Sequence, residues 1–285
     1  MKKILLGICL VLLLCSSSPA ETSVWKIERG NSILFLGGTC HILRPSDFPL
    51  PPEFDKAYRA ADLLVFEADP SEFNNPATQQ KLLSKAMYTD GSTLEQHLSP
   101  RTYQLLKEYC TANGIPLEAL KKFKPSILAV TMEAIELAKL DATREGVDLH
   151  YYARAKRDGK VVEGLETVDE QIAFLAEMGQ GKEEEFVNLT LNEMKSVRQF
   201  YESLVDAWKR GDTVKLTELV IVDLQKTPEL YKRLLTDRNS NWLPRIDAYS
   251  QTPRIEFLLV GIGHLVGPDG ILEALRQKGY KVEKL

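Results

Sequence analysis

The sequence predicts an α/β (α+β) fold, with a central mixed β-sheet built from the N- and C-terminal segments and a large helical insertion at about residues 76–235. Three observations predict it. Continuous apolar runs suited to buried strands lie near both ends, at 32–36, 62–67 and 255–260. The middle of the chain is dominated by helical signals. Two of the apolar runs end in the same pattern, Gly-x-x-His, at Gly38-Thr39-Cys40-His41 and Gly261-Ile262-Gly263-His264.

The elements follow in order. Lys2 and Lys3 precede an apolar run from Ile4 to Leu14, and Ser16-Ser17-Ser18-Pro19-Ala20 supplies small residues. This is the layout of a secretory signal cleaved after Ala20, and the run is too short to span a bilayer. An exported protein, periplasmic or secreted, is therefore expected, with no transmembrane segment in the mature chain. Cys15 opens a second route, membrane anchoring as a lipoprotein, against which Leu14 is larger than the residue that normally precedes a lipidated cysteine.

Val24 to Arg29 alternates like a half-buried strand, Gly30-Asn31 reads as a turn, and Ser32 to Leu36 as a buried strand. After a proline-rich loop, Glu53 to Ala61 reads as a helix and Asp62 to Glu67 as a buried strand ending on a carboxylate. Ser99-Pro100 and Lys124-Pro125 open helices with proline in the first turn. Lys160 to Gly164 reads as a short strand, and Thr167 with Glu170 as a capping box. At the end come a strand from Ile255 to Val260, a helix from about Asp269 to Lys278 closed by Gly279, and a last strand at 280–282.

Composition narrows function. The 285 residues are 44% hydrophobic and 27% charged, with formal charge −4, so no basic face is offered to nucleic acid. No Gly-x-Ser-x-Gly, His-Glu-x-x-His or phosphate loop occurs. Gly261-Ile262-Gly263 with Gly267 imitates a dinucleotide-binding turn, but too little chain follows for the second strand and its ribose-binding acid.

The paired motifs carry the chemistry. Glycine lets the backbone turn at the strand end, and each histidine emerges at the carboxyl edge of the sheet, where open α/β sheets bind ligands. With Glu67 ending a third strand, two imidazoles and one carboxylate make a ligand set for a divalent metal, zinc included. Alternatively, one histidine serves as general base with the carboxylate orienting it. Arg238, in Leu235-Thr236-Asp237-Arg238-Asn239-Ser240-Asn241-Trp242, is a candidate for holding a substrate carboxylate or oxyanion, and Asn239 and Glu163 are further candidates for substrate binding. Glu166 is better explained by helix capping, and Cys40 by packing or a disulfide. His97 and His150 read as surface or core-edge histidines.

These motifs resemble the paired Gly-x-x-His motifs of the TraB/GumN group and the Tiki-like superfamily. Gly146-Val147-Asp148, Glu163 to Thr167 and Arg238 to Trp242 resemble the bacterial GumN-like branch, and the resemblance runs from about Val24 to Leu285. It implies catalytic and metal-binding roles for His41, Glu67 and His264, manganese or cobalt as the metal, and a peptide or small acyl compound as substrate. Distant relatives of this layout include erythromycin esterase, which uses histidine without metal, and a haem-binding lipoprotein. Three readings thus stand side by side: a metallohydrolase of the metalloprotease kind, a metal-free esterase-like hydrolase, and a non-catalytic protein that binds haem or metal.

Overall fold

A computed structural model describes residues 22–142 and 145–285. The expected leader and Cys15 lie outside them. The sheet has six strands: β1 (Val24–Arg29), β2 (Ser32–Thr39), β3 (Leu63–Phe66), β4 (Val161–Gly164), β5 (Glu256–Gly261) and β6 (Lys281–Lys284). Their order is β4-β3-β5-β2-β1-β6. The first four run parallel, while β1 is antiparallel to both β2 and β6. The sheet is therefore mixed and drawn from both ends of the chain, and β4, from inside the middle segment, completes one edge.

Local chemistry explains these elements. Gly30, at φ +61°, turns β1 into β2 with Arg29 paired to Ser32. β3 and β5 are buried along their whole length, which is why they read as continuous apolar runs rather than alternating ones. Pro52, Pro100 and Pro125 each open a helix, where the missing N–H is no loss. Thr167 caps the helix Val168–Glu177, its backbone N–H bound 2.7 Å from the Glu170 carboxylate.

Phe54, Tyr151, Trp208 and Phe257 meet in the main core. A smaller core around Leu106, Leu128 and Met132 holds Cys110, while Cys40 lies in the main one. Both cysteines are buried free thiols, so the disulfide alternative does not hold. No helix among the described residues is long and apolar enough to cross a membrane.

Candidate functional site

The sheet order brings three distant residues to one edge. β5 lies between β3 and β2, and all three strands point the same way. Glu67 directly follows β3, His41 lies two residues past β2, and His264 sits in the helical turn Ile262–Leu265 after β5. His41 Nε2 is 3.8 Å and His264 Nε2 3.9 Å from the same oxygen, Oε1 of Glu67. That oxygen accepts a 2.8 Å bond from the backbone N–H of Gly261.

The two motifs align without a gap in sequence, yet the ladder pairs Thr39, not Gly38, with Gly261. The histidines are unlike in setting as well, His264 in a helical turn and His41 in a bend. The His264 side chain is 6% exposed and that of His41 is 58% exposed.

The state of His264 follows from its neighbours. The Asn239 amide donates both hydrogens, to the carbonyls of His264 (3.2 Å) and Asp269 (3.0 Å). Its oxygen must then accept from His264 Nδ1, 2.8 Å away, which puts the ring proton on Nδ1 and leaves Nε2 as an acceptor. Arg238 Nη1 donates to that Nε2 at 3.0 Å. Burial, with the positive charge of Arg238 assisting, lowers the His264 pKa to about 3.

Arg238 joins the whole cluster. Its Nη2 donates to Glu67 Oε2 and to Glu166 Oε1, both at 2.6 Å, its Nε to Glu166 Oε2 at 3.0 Å, and its Nη1 also to Leu234 O at 3.4 Å. All five N–H groups thus have acceptors. The guanidinium also stacks on Trp242, one helical turn along, whose Nε1 donates to Glu166 at 3.2 Å. Burial alone would raise the Glu67 carboxyl, but Arg238, then the two imidazoles and last the Gly261 N–H outweigh it and hold Glu67 well below the usual carboxylate range.

His41 is oriented from the other side, by Asp148, whose Oδ2 lies 2.8 Å from Nδ1. A carboxylate on Nδ1 leaves Nε2 facing Glu67 and, chiefly through its charge, raises the His41 pKa above its ordinary value. Gly146 makes the contact possible: a Cβ there would lie 2.2 Å from the His41 carbonyl oxygen. Val147 N–H bonds to Cys40 O at 3.1 Å, fixing the segment against the strand end.

Against this geometry the chain matches the TraB/PrgY/gumN family over residues 23–284. The chain belongs to the TraB/PrgY/gumN family. Among relatives in the family, the zebrafish (Danio rerio) protein named metalloprotease TIKI1 is 24% identical, across 93% of this chain and 63% of its own length. A second zebrafish protein, named metalloprotease TIKI2, is 24% identical across 94% of this chain and 62% of its own. YbaP of Escherichia coli (strain K12) is 24% identical across 87% of this chain and 89% of its own. The chain therefore spans less than two thirds of the TIKI proteins it matches, and its relation to the metalloproteases is distant. No solved structure matches significantly.

Of the residues expected at the site, His41, Glu67, His264 and Arg238 are together. Asn239 is not in the cleft but behind His264, 4% exposed, with its amide fully engaged. Glu163 is displaced too: it lies on edge strand β4 and accepts a 2.6 Å bond from the Tyr249 hydroxyl. Sequence reasoning gave Glu166 to capping, but Glu170 does the capping and Glu166 holds Arg238. Asp148 lies in the Gly146-Val147-Asp148 motif, which by itself assigns it no role, and Gln171, which donates to Glu67 at 3.3 Å, carries no signal in the sequence.

The donor set suits a divalent cation. Ligands about 2.1 Å from one ion lie at most about 4.2 Å apart, a limit that both measured separations respect. Gly261 keeps the space open: a Cβ there would come within 3.2 Å of both His41 Nε2 and Glu67 Oε1. One feature opposes it. The His264 Nε2 lone pair is engaged by Arg238, and among the described residues no three His, Cys, Asp or Glu side chains stand in ready ligating geometry. The residues fit the ion's chemistry, and Arg238 is the group that has to yield.

Proposed function

We propose that this chain is an exported hydrolase of peptide or related acyl bonds, and that His41, Glu67 and His264 hold a divalent cation, manganese or cobalt on the family resemblance. The observation that carries the reading is the approach of both imidazole Nε2 atoms to one Glu67 oxygen at 3.8 and 3.9 Å, in a family whose relatives include proteins named metalloproteases. A bound cation supplies a water of lowered pKa and polarises the scissile carbonyl. The chain's own residues do the rest. Asp148 holds His41 with Nε2 toward the cleft, and Asn239 holds His264 as the Nδ1–H tautomer. The Gly261 N–H and Arg238 keep Glu67 ionised. Arg238 Nη1 has only uncharged partners, Leu234 O and His264, so it is the donor with least to lose in turning to a developing oxyanion.

A second reading is favoured by one specific observation, the His41–Asp148 pair. With Nδ1 on a carboxylate and Nε2 in the cleft, His41 has the orientation of a general base that needs no metal, and because Asp148 raises its pKa to about 10 it takes that role only in alkaline solution. One experiment separates the readings: element analysis of protein purified without chelator, beside peptide turnover by wild type, His41→Ala and His264→Ala. The first reading predicts bound metal and chelator-sensitive turnover, both lost in each variant. Chelator-resistant turnover that needs His41 selects the second, and equal turnover in all three proteins removes both. Export follows from the leader-like residues before Glu21, and N-terminal sequencing of the mature protein tests it.

A further inference from the structure

The helix Val168–Glu177 runs from the site to a cavity. Gln171 donates to Glu67 at 3.3 Å, and one turn on, the ring of Phe174 lies 5.5 Å below the Arg238 guanidinium. Phe174 also lines a cavity of about 390 Å³, shared with Met178, Phe186, Leu189, Pro228 and Leu230. Small-molecule sites measure about 300–1,000 Å³. An extended peptide covers about 3.3–3.6 Å per residue. The Phe174 ring is 5.5 Å from the Arg238 guanidinium, which bonds Glu67 at 2.6 Å, so the near wall of the cavity lies within about three residues of extended peptide from Glu67.

Its charges identify what it takes. Lys182 is paired with Glu229 at 3.3 Å and Arg233 with Glu177 at 2.6 Å. Glu185 adds a further carboxylate to the wall. With both basic side chains facing acids, nothing here selects an acidic group, and the wall nearest the site is aromatic and apolar.

We infer that this cavity is the specificity pocket of the site and receives an uncharged, bulky apolar side chain or acyl group within about three positions of the cleaved bond. The inference rests on the hydrolase reading for its chemistry, but pocket occupancy is measurable without turnover.

The test uses N-acetyl-L-phenylalaninamide and N-acetylglycinamide as probes, titrated into the full chain by 1H–15N NMR. The phenylalanine amide binds tighter by about 10- to 100-fold, as burial of one large apolar side chain supplies. The shifts centre on Phe174, Met178 and Leu189. Leu189→Trp fills the cavity and abolishes the preference, and Leu230→Phe does so if the first variant does not fold. Equal affinity for the two amides, or shifts elsewhere, overturns the inference. Cleavage of a random peptide library distinguishes the two failures: cutting without apolar preference keeps the hydrolase and removes the pocket. Binding of the phenylalanine amide in the cavity, with no peptide cut, keeps the pocket and removes the hydrolase.

Discussion

Arg238 Nη1 donates to Nε2 of His264 across 3.0 Å, so the lone pair that a metal needs is held by the protein's own cation. The same contact and the burial around it keep His264 neutral, with its pKa lowered to about 3 from 6.5. Between those values the unfolded chain binds a proton that the folded chain refuses, so this residue makes stability rise with pH across that window and fall as pH drops through it. Imidazole NMR of the folded protein shows the Nδ1–H tautomer persisting to about pH 3, and His264→Gln flattens the pH dependence of unfolding there. An imidazolium signal for His264 near pH 6 contradicts it.

Asp148 acts on His41 in the opposite direction. Its charge raises the His41 pKa, so the pair stabilises the fold fully below 6.5 and loses that contribution as pH climbs through the raised value. Over half of the ring is exposed, so solvent screens the pair and keeps its contribution small. Asp148→Asn lowers the His41 pKa, followed by NMR titration, and weakens cation binding by about 10- to 100-fold in calorimetry. An unchanged pKa removes Asp148 from the site.

Gly261→Ala probes the open space itself. The backbone at Gly261, at φ −50° and ψ 135°, is one that alanine adopts freely, so the variant folds. Its methyl carbon stands 3.2 Å from both His41 Nε2 and Glu67 Oε1, inside the space a cation requires. Calorimetric titration with manganese detects binding to wild type and none to the variant. Undiminished binding moves the cation elsewhere.

Glu166→Gln removes a charge from the buried Arg238 network while leaving its shape. Two charge-assisted bonds from Arg238 weaken, and the expected loss in urea unfolding is about 1–3 kcal/mol. The control, Glu170→Gln, touches only the capping box and costs less than about 1 kcal/mol. Equal losses in the two variants return Glu166 to a capping role.

Much of this was legible in the sequence because it is written locally. Buried parallel strands read as apolar runs, and Gly-x-x-His marks where two of them stop, so the placing of His41, Glu67 and His264 at one edge follows from strand polarity alone. What escaped depends on partners far along the chain. Asp148 meets His41 across 107 positions and Glu166 meets Arg238 across 72. Glu166 was also hidden by the capping box that begins at the next residue, which explains a nearby acid without needing a second one. The one-residue offset in the parallel ladder and the unlike burial of the two histidines are both concealed by a gapless sequence match.

The most direct measurement is anomalous X-ray diffraction from crystals grown with manganese. One strong peak is expected about 2.0–2.2 Å from His41 Nε2, His264 Nε2 and a Glu67 oxygen, with Arg238 Nη1 withdrawn from His264. Saturating manganese with no peak in that space, and Nη1 still on His264, contradicts it.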